Sequence, residues 1–144
     1  MDTKRESSGF ARYQDALNFA YQLLRAARFE AEAAGVVVAV EAAHDGCLLS
    51  PVELRELIDA VNSWVVGACL DVDRVRTVGE PIDWLTTLTH RVKAVRSNVA
   101  RDREHGSLES DDARIGPIWR WKTLDDIGFC GPVVIACESA QAVR

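Results

Sequence analysis

Cysteine and histidine are the side chains proteins use most often for metal binding and nucleophilic chemistry, and here both are scattered. The four cysteines are Cys47, Cys69, Cys130 and Cys137. No two of them have the CxxC spacing of zinc knuckles or thioredoxin-like redox motifs. A free cysteine inside an apolar run usually acts as a small buried hydrophobe, so we interpret these residues as structural.

The three histidines are equally dispersed. His44, in the segment EAAHDG, follows an apolar run and could contact a substrate. Because no acid–base partner is visible beside it, an exposed loop histidine is the simpler interpretation. We predict no role for His90 or His105. The motifs GxGxxG, GxxxxGK[ST], HExxH and GxSxG do not occur, so dinucleotide, P-loop, zinc-protease and hydrolase-elbow functions have no support.

Helix and strand patterns alternate along the chain. Ala11–Ala34 has apolar residues at helical spacing and stops at Gly35. Val36–Glu41 is apolar and β-branched, as expected for a strand buried on both faces. Ser50-Pro51-Val52-Glu53 is a capping box that opens a helix to about Val61. The alternation continues with a strand at Trp64–Asp71, a helix at Pro81–His90, a strand at Val92–Ser97, a helix at Trp121–Ile127 and a strand at Gly131–Cys137.

This alternation predicts an α/β domain with four parallel strands covered by helices. We expect residues 1–10 to form a flexible N-terminus and residues 11–144 to form one domain. The charged segment 98–117 is predicted to be a long loop, either a solvated face or a lid over a site. Four strands cannot close a barrel, which takes eight, so the first and last strands would have free edges.

Composition and charge narrow the possible partners. With 48% hydrophobic and 27% charged residues, the chain has an ordinary globular composition. Its net charge of −5 argues against nucleic-acid binding, because there is no basic surplus to displace counterions from phosphates. No apolar run approaches the roughly 20 residues that span a bilayer. The N-terminus lacks the apolar core of a signal peptide, so we expect a cytoplasmic protein without membrane partners.

Five segments, in order, resemble the last four βα units of the xylose-isomerase-like barrels, the sugar phosphate isomerase/epimerase family. They are GVVVAVEAAHDG, LLSPVELRELIDAVNS, VGACLDVDR, HRVKAVRSN and DDIGFCGPVVIACE. The resemblance covers roughly residues 11–138 but only half of that family's fold. It implies half of a (β/α)8 TIM-type barrel.

The resemblance also implies a metal site at the carboxyl ends of the strands. In the family, a divalent cation polarises sugar oxygens while carboxylates move a proton. Glu41 matches the first ligand, and would be the catalytic carboxylate in an active protein, and Asp71 matches the second. Arg96 replaces the histidine of the seventh strand and Ala136 replaces the glutamate of the eighth. Glu138, two residues further on the same strand face, could partly substitute.

Two arginines therefore stand where the family places histidines. The family's Asp-x-x-His segment, whose histidine contacts substrate, reads Asp71-Val72-Asp73-Arg74 here. Arginine has no lone pair to offer a metal and stays protonated. We expect Arg96 to form bidentate ion pairs with the neighbouring carboxylates, giving a salt-bridge cluster in place of a metal.

The resulting expectation is a non-catalytic relative of the sugar isomerases that needs no cofactor. It would bind a small sugar-like, polar or anionic ligand, or serve as an assembly domain. The predicted ligand-binding residues are Glu41, His44, Asp71, Arg74, Arg96 and Glu138. The alternative is an isomerase or epimerase that uses Mn²⁺ or Mg²⁺ and is active as a homodimer, with Glu41 and Asp71 of both copies as metal ligands. A third interpretation is a truncated gene product.

A homodimer is the expected partner arrangement under either main interpretation. Two copies related by a twofold axis along the barrel would keep all eight strands parallel. The last strand of each copy would pair with Val36–Glu41 of the other, and the Ala11–Ala34 helix would cover the remaining groove. Burying both edges and an interior would give an apolar interface of obligate size.

Overall fold

The computed structural model describes residues 12–42, 47–98 and 118–136. The predicted N-terminal tail, most of the 98–117 loop, His44 and Glu138 lie outside these ranges. The elements are α1 (Tyr13–Ala34), β1 (Val38–Glu41), α2 (Pro51–Val61), β2 (Val66–Asp71), α3 (Val72–Val75), α4 (Pro81–Leu88), a 3-10 helix (Thr89–Arg91), β3 (Val92–Asn98), α5 (Ile118–Asp126) and β4 (Val133–Ala136).

The four strands form one parallel sheet in the order β1-β2-β3-β4. Glu41 pairs in register with Cys69, and Asp71 pairs with Arg96. Because all strands run in the same direction, their carboxyl ends lie at one edge of the sheet. The predicted α/β architecture of four parallel strands with helices is confirmed.

Local signals explain where α1 and α2 begin and end. Gly35 adopts the left-handed conformation (φ 65°) that closes α1. Ser50 caps α2, its Oγ accepting a hydrogen bond from the Glu53 N–H at 3.2 Å. The capping box is confirmed, with one difference: the Glu53 carboxylate accepts from the N–H of Leu49, not from that of Ser50.

The core lies between the helices and one face of the sheet. Several of its least exposed large side chains come from α2, β2 and α4, among them Leu54, Val61, Leu70, Trp84, Leu85 and Leu88. Successive strand residues point to opposite faces, so the other face carries the small residues Ala39, Gly67 and Ala94. At the carboxyl ends that same face carries Glu41 and Arg96. The polar residues are therefore directed away from the core, towards the side that is the interior of a closed barrel.

Several predicted boundaries differ from the structure. β1 begins at Val38 and not at Val36, because the Val36 N–H bonds to the Ala31 carbonyl at 2.9 Å and completes the end of α1. β2 begins at Val66 and not at Trp64, because the Val66 N–H bonds back to Ser63 in a turn. The predicted Pro81–His90 helix becomes α4 and the short 3-10 helix, and α5 begins three residues before the predicted Trp121.

The short helix α3 is not predicted by the sequence patterns. Asp71 ends β2 and also caps α3, its Oδ1 accepting hydrogen bonds from the N–H groups of Asp73 and Arg74, both at 3.1 Å. An aspartate before a short helical turn is a known capping signal. In a run of four residues, however, that signal has no helical periodicity to support it.

None of the helices within the described ranges has the length and apolar character needed to cross a membrane.

Gly67 is a position where the sheet leaves no room for a side chain. A Cβ there would lie 2.2 Å from Lys93 Cγ and 2.5 Å from the Arg91 carbonyl oxygen. We expect Gly67→Ala to lower the free energy of unfolding by about 1–3 kcal/mol, because a backbone carbonyl must shift to admit the methyl group. Gly79→Ala is the matched control, since its nearest contact would be an ordinary 3.7 Å to Trp84 Nε1. Equal urea midpoints for the two variants would contradict this packing.

The α3 cap predicts a contrast between two substitutions of Asp71. Asp71→Ala removes the acceptor of two backbone N–H groups and should lower the free energy of unfolding by about 1 kcal/mol. Asp71→Asn keeps a side-chain oxygen at the same place and should retain most of that stability. Chemical denaturation of both variants measures the difference. If Asp71→Asn were as unstable as Asp71→Ala, charge and not capping would be the role of this residue in stability.

Candidate functional site

The candidate site lies where β1, β2 and β3 end. Parallel pairing brings Glu41, Asp71 and Arg96 to the same edge of the sheet, with Asp71 directly beside Arg96 in the register. Arg74 follows from α3, the helical turn that Asp71 caps. Four predicted site residues are therefore gathered at one end of the sheet, from β1, from β2 with the adjoining α3, and from β3.

Glu41 is the centre of this cluster because it binds two arginines at once. Its Oε1 lies 3.1 Å from Arg74 Nη1, and its Oε2 lies 2.9 Å from Arg96 Nη1. The predicted salt-bridge cluster is confirmed for Glu41 and Arg96. The predicted bidentate geometry is wrong for the Glu41–Arg96 pair, because Glu41 divides its two oxygens between two guanidinium groups.

These ion pairs are accessible to solvent. The side chain of Glu41 is 27% exposed, that of Arg74 is 55% exposed and that of Arg96 is 47% exposed. The hydrogen bond to Glu41, followed by its negative charge and that of Asp71, raises the pKa of Arg96 above its ordinary value. Arg96 therefore remains a cation, and about half of each arginine side chain is accessible to solvent.

A bidentate arginine–carboxylate ion pair does occur at the opposite end of the sheet, where the strands begin. Arg91 donates from Nε to Asp59 Oδ1 at 2.6 Å and from Nη2 to Oδ2 at 2.9 Å. Hydrogen bonding to Arg91 lowers the pKa of Asp59. This ion pair connects α2 to the segment that leads into β3, so we interpret it as a contact that stabilises the fold.

Cys69 lies between the charged residues, level with Glu41 in the register. Burial, and secondarily the negative charge of Glu41, raises the pKa of its thiol. A thiol with a raised pKa stays protonated at neutral pH and is a poor nucleophile. The interpretation of this cysteine as structural agrees with its half-buried position.

The carboxylate oxygens among the described residues are not arranged to bind the divalent cation that the family resemblance implies. Both Glu41 oxygens are engaged by arginines, and Asp71 Oδ1 accepts from the backbone of α3. Within residues 12–42, 47–98 and 118–136, no three histidine, cysteine, aspartate or glutamate side chains are grouped so as to hold a metal. His44 and Glu138 lie outside those ranges, and their roles as ligands stay predictions.

A broad groove occupies the other end of the same face. Its volume is about 550 Å³, and its lining includes Ala39, His90, Lys93, Phe129 and Pro132. It contains none of Glu41, Asp71, Arg74 or Arg96. The charged cluster and the apolar groove are thus separate regions of one open sheet face.

Comparison with known proteins identifies the fold. No protein-family model and no curated protein matches this chain. A crystal structure of D-psicose 3-epimerase with D-tagatose from Clostridium cellulolyticum H10 is similar, with a TM-score of 0.69 and 18% identity over 90% of this chain and 45% of that one. A D-psicose 3-epimerase in the presence of D-fructose has a TM-score of 0.71 and 15% identity, over 89% of this chain and 44% of that one.

Both similar proteins have the xylose-isomerase-like TIM-barrel fold. This chain spans less than half of their length and matches them over most of its own. The order and direction of its four strands agree with that match. The chain has the fold of one half of a (β/α)8 TIM-type barrel.

Proposed function

We propose that this half-barrel is a non-catalytic binding module. It holds a small, oxygen-rich polar or anionic ligand at the strand ends through Arg74 and Arg96. The observation that carries this proposal is the pairing of both Glu41 oxygens with arginine, at 3.1 Å and 2.9 Å. The residue that matches the family's first metal ligand serves here to orient two guanidinium groups.

The chemistry of the cluster favours a ligand rich in oxygen acceptors. Each guanidinium carries five N–H donors, and the contact with Glu41 engages Nη1 of each. About half of each arginine side chain faces solvent, so donors are accessible to hydroxyl, carboxylate or phosphate oxygens. The two positive charges of the arginines are balanced by the two negative charges of Glu41 and Asp71, so the cluster has no net charge. Hydrogen-bond donation, more than net charge, would therefore hold the ligand.

The two similar structures support a sugar-like ligand. One contains D-tagatose and the other was determined in the presence of D-fructose. Both sugars have several hydroxyl oxygens that can accept hydrogen bonds from an arginine guanidinium group. These ketohexoses are therefore the first probes, with inorganic phosphate as the anionic one.

The same contacts argue against isomerase chemistry. Moving a proton between sugar carbons uses a polarising cation and a carboxylate that can reach the substrate. A cation at Glu41 would have to displace Arg74 or Arg96 and would then lie beside a fixed positive charge. Metal-dependent epimerisation by a homodimer is the competing proposal, and no contact among the described residues favours it.

The first test asks whether a metal supports activity. The chain is incubated with D-fructose and Mn²⁺ or Mg²⁺, and the melting temperature is measured with and without EDTA. We expect neither epimerisation nor a chelator-sensitive rise in melting temperature. The Arg96→His, Ala136→Glu double variant restores the family's implied ligands and should acquire a Mn²⁺-dependent rise. Metal-dependent turnover by the unaltered chain would overturn the proposal.

The second test asks whether the arginines bind ligand. Titration calorimetry with D-tagatose, D-fructose and phosphate should detect binding of at least one of them. Arg74→Gln should weaken that binding roughly tenfold or more, because it removes a charged hydrogen-bond donor. Arg25→Gln is the control, since Arg25 is an exposed arginine in the middle of α1, an element that carries none of the four cluster residues. Equal affinities for the two variants, or no binding by any probe, would contradict the proposed role.

A further inference from the structure

The sheet has two free edges that are complementary to each other. Among the described residues, β1 and β4 each pair with a neighbouring strand on one side only. Ala39 of β1 is exposed, and Val134 and Ile135 of β4 are 52% and 41% exposed. Unpaired edges with apolar side chains favour pairing with another strand. Since β1 and β4 are parallel, the β4 edge of one sheet can add to the β1 edge of another without reversing direction.

Helix α1 has an apolar flank with nothing packed against it in the described structure. Leu24 is buried against the core. On one side of it, Arg28 donates to the Val61 carbonyl and Glu32 accepts from Ser63, so that flank faces α2. Each helical residue advances by roughly 100°, which places Leu23 on the opposite side of Leu24 from Arg28.

Phe19 lies one turn before Leu23 on the same flank. Phe19 is 70% exposed and Leu23 is 58% exposed. This flank, defined by Phe19 and Leu23, faces away from α2 and therefore towards the space beyond the free edge of β1. In a βα barrel that space holds the preceding strand and helix.

Among the described residues, none covers the helix-facing side of β4 in the way that α1 covers that of β1. Val133 packs against the core, and Ile135, two residues on, points to the same face but is 41% exposed. On the opposite face, the groove of about 550 Å³ extends from Val37 and Ala39 to Gly131 and Pro132, which lead into β4. It thus runs across the whole sheet, from one free edge to the other.

We propose that these surfaces bind a second copy of this chain. β4 of each copy pairs with β1 of the other, the Phe19–Leu23 flank covers Ile135 of the partner copy, and the two grooves together form the interior of a closed barrel. A second copy supplies the four parallel strands that an eight-stranded barrel still needs.

Closure gives the strand ends a composite site. In a parallel barrel all carboxyl ends lie at one face, so the partner copy contributes a second Glu41, Arg74 and Arg96 to the same mouth. A ligand at the twofold axis would bind once per dimer. This stoichiometry rests on the proposed binding function, whereas the dimer itself does not.

Light scattering coupled to size exclusion, over a wide range of protein concentration, tests the dimer without any ligand. We expect a mass of twice the chain's 15.9 kDa. Leu23→Glu and Ile135→Glu should each raise the dissociation constant at least tenfold while leaving the far-UV circular dichroism unchanged. Both residues are substantially exposed in the single chain, so a charge there is compatible with its fold.

Phe29→Glu is the matched control. Phe29 is also 58% exposed and also lies on α1, but roughly 120° around the helix from Leu23. The dimer should tolerate this substitution. A monomer at every concentration would overturn the proposal, and so would equal effects of Leu23→Glu and Phe29→Glu. A chain that is monomeric alone but binds a separate half-barrel of different sequence would overturn it in favour of that partner. Dimerisation without ligand binding would refute only the composite site.

Discussion

The parallel pairing of β2 with both β1 and β3 is the constraint on which the other features of this molecule depend. β2 is the most deeply buried strand, with Ala68 and Leu70 fully inaccessible to solvent. Its register sets Cys69 beside Glu41 and Asp71 beside Arg96. Parallel strands joined by helical crossovers end at one edge, so charged residues from remote parts of the chain meet there. Glu41 and Arg96 are close enough to form an ion pair because β2 holds β1 and β3 in register.

The ion pairs of Glu41 with Arg74 and Arg96 contribute little to the stability of the fold. They join side chains that are between 27% and 55% exposed, and pairs of that kind contribute only about 0–1 kcal/mol because water and salt screen them. The hydrogen bonds that Asp71 makes to the start of α3 are worth more, and they position Arg74 for its contact with Glu41. Part of the fold's local stability thus serves to place a guanidinium group at the strand ends. This placement of Arg74 beside Glu41 is the arrangement on which the proposed ligand binding rests.

The sheet face that points away from the core differs in character between its two ends. Near the amino ends it is lined by small residues, and at Gly67 the neighbouring Lys93 and Arg91 leave no space even for a methyl group. Towards the carboxyl ends it becomes polar and open. The interior of a TIM barrel is normally filled by layers of side chains from alternate strands. Half of those layers is absent from a single sheet, so both its groove and its charged edge face solvent.

Much of the architecture was predictable from the sequence, because its signals are local. The glycine after α1, the capping box of α2 and the apolar strands can each be recognised within a few residues, and their alternation predicts a parallel sheet. The meeting of Glu41 and Arg96 was also predictable, since parallel strand ends converge. Tertiary structure alone decided how the hydrogen-bonding groups are shared. Glu41 accepts from two arginines and not from one, Asp71 caps a helical turn, and the Val36 N–H completes α1 and not β1. Each of these carboxylate and N–H groups has several possible hydrogen-bond partners in the sequence. Which partner it binds depends on distances that are set only when the elements pack together.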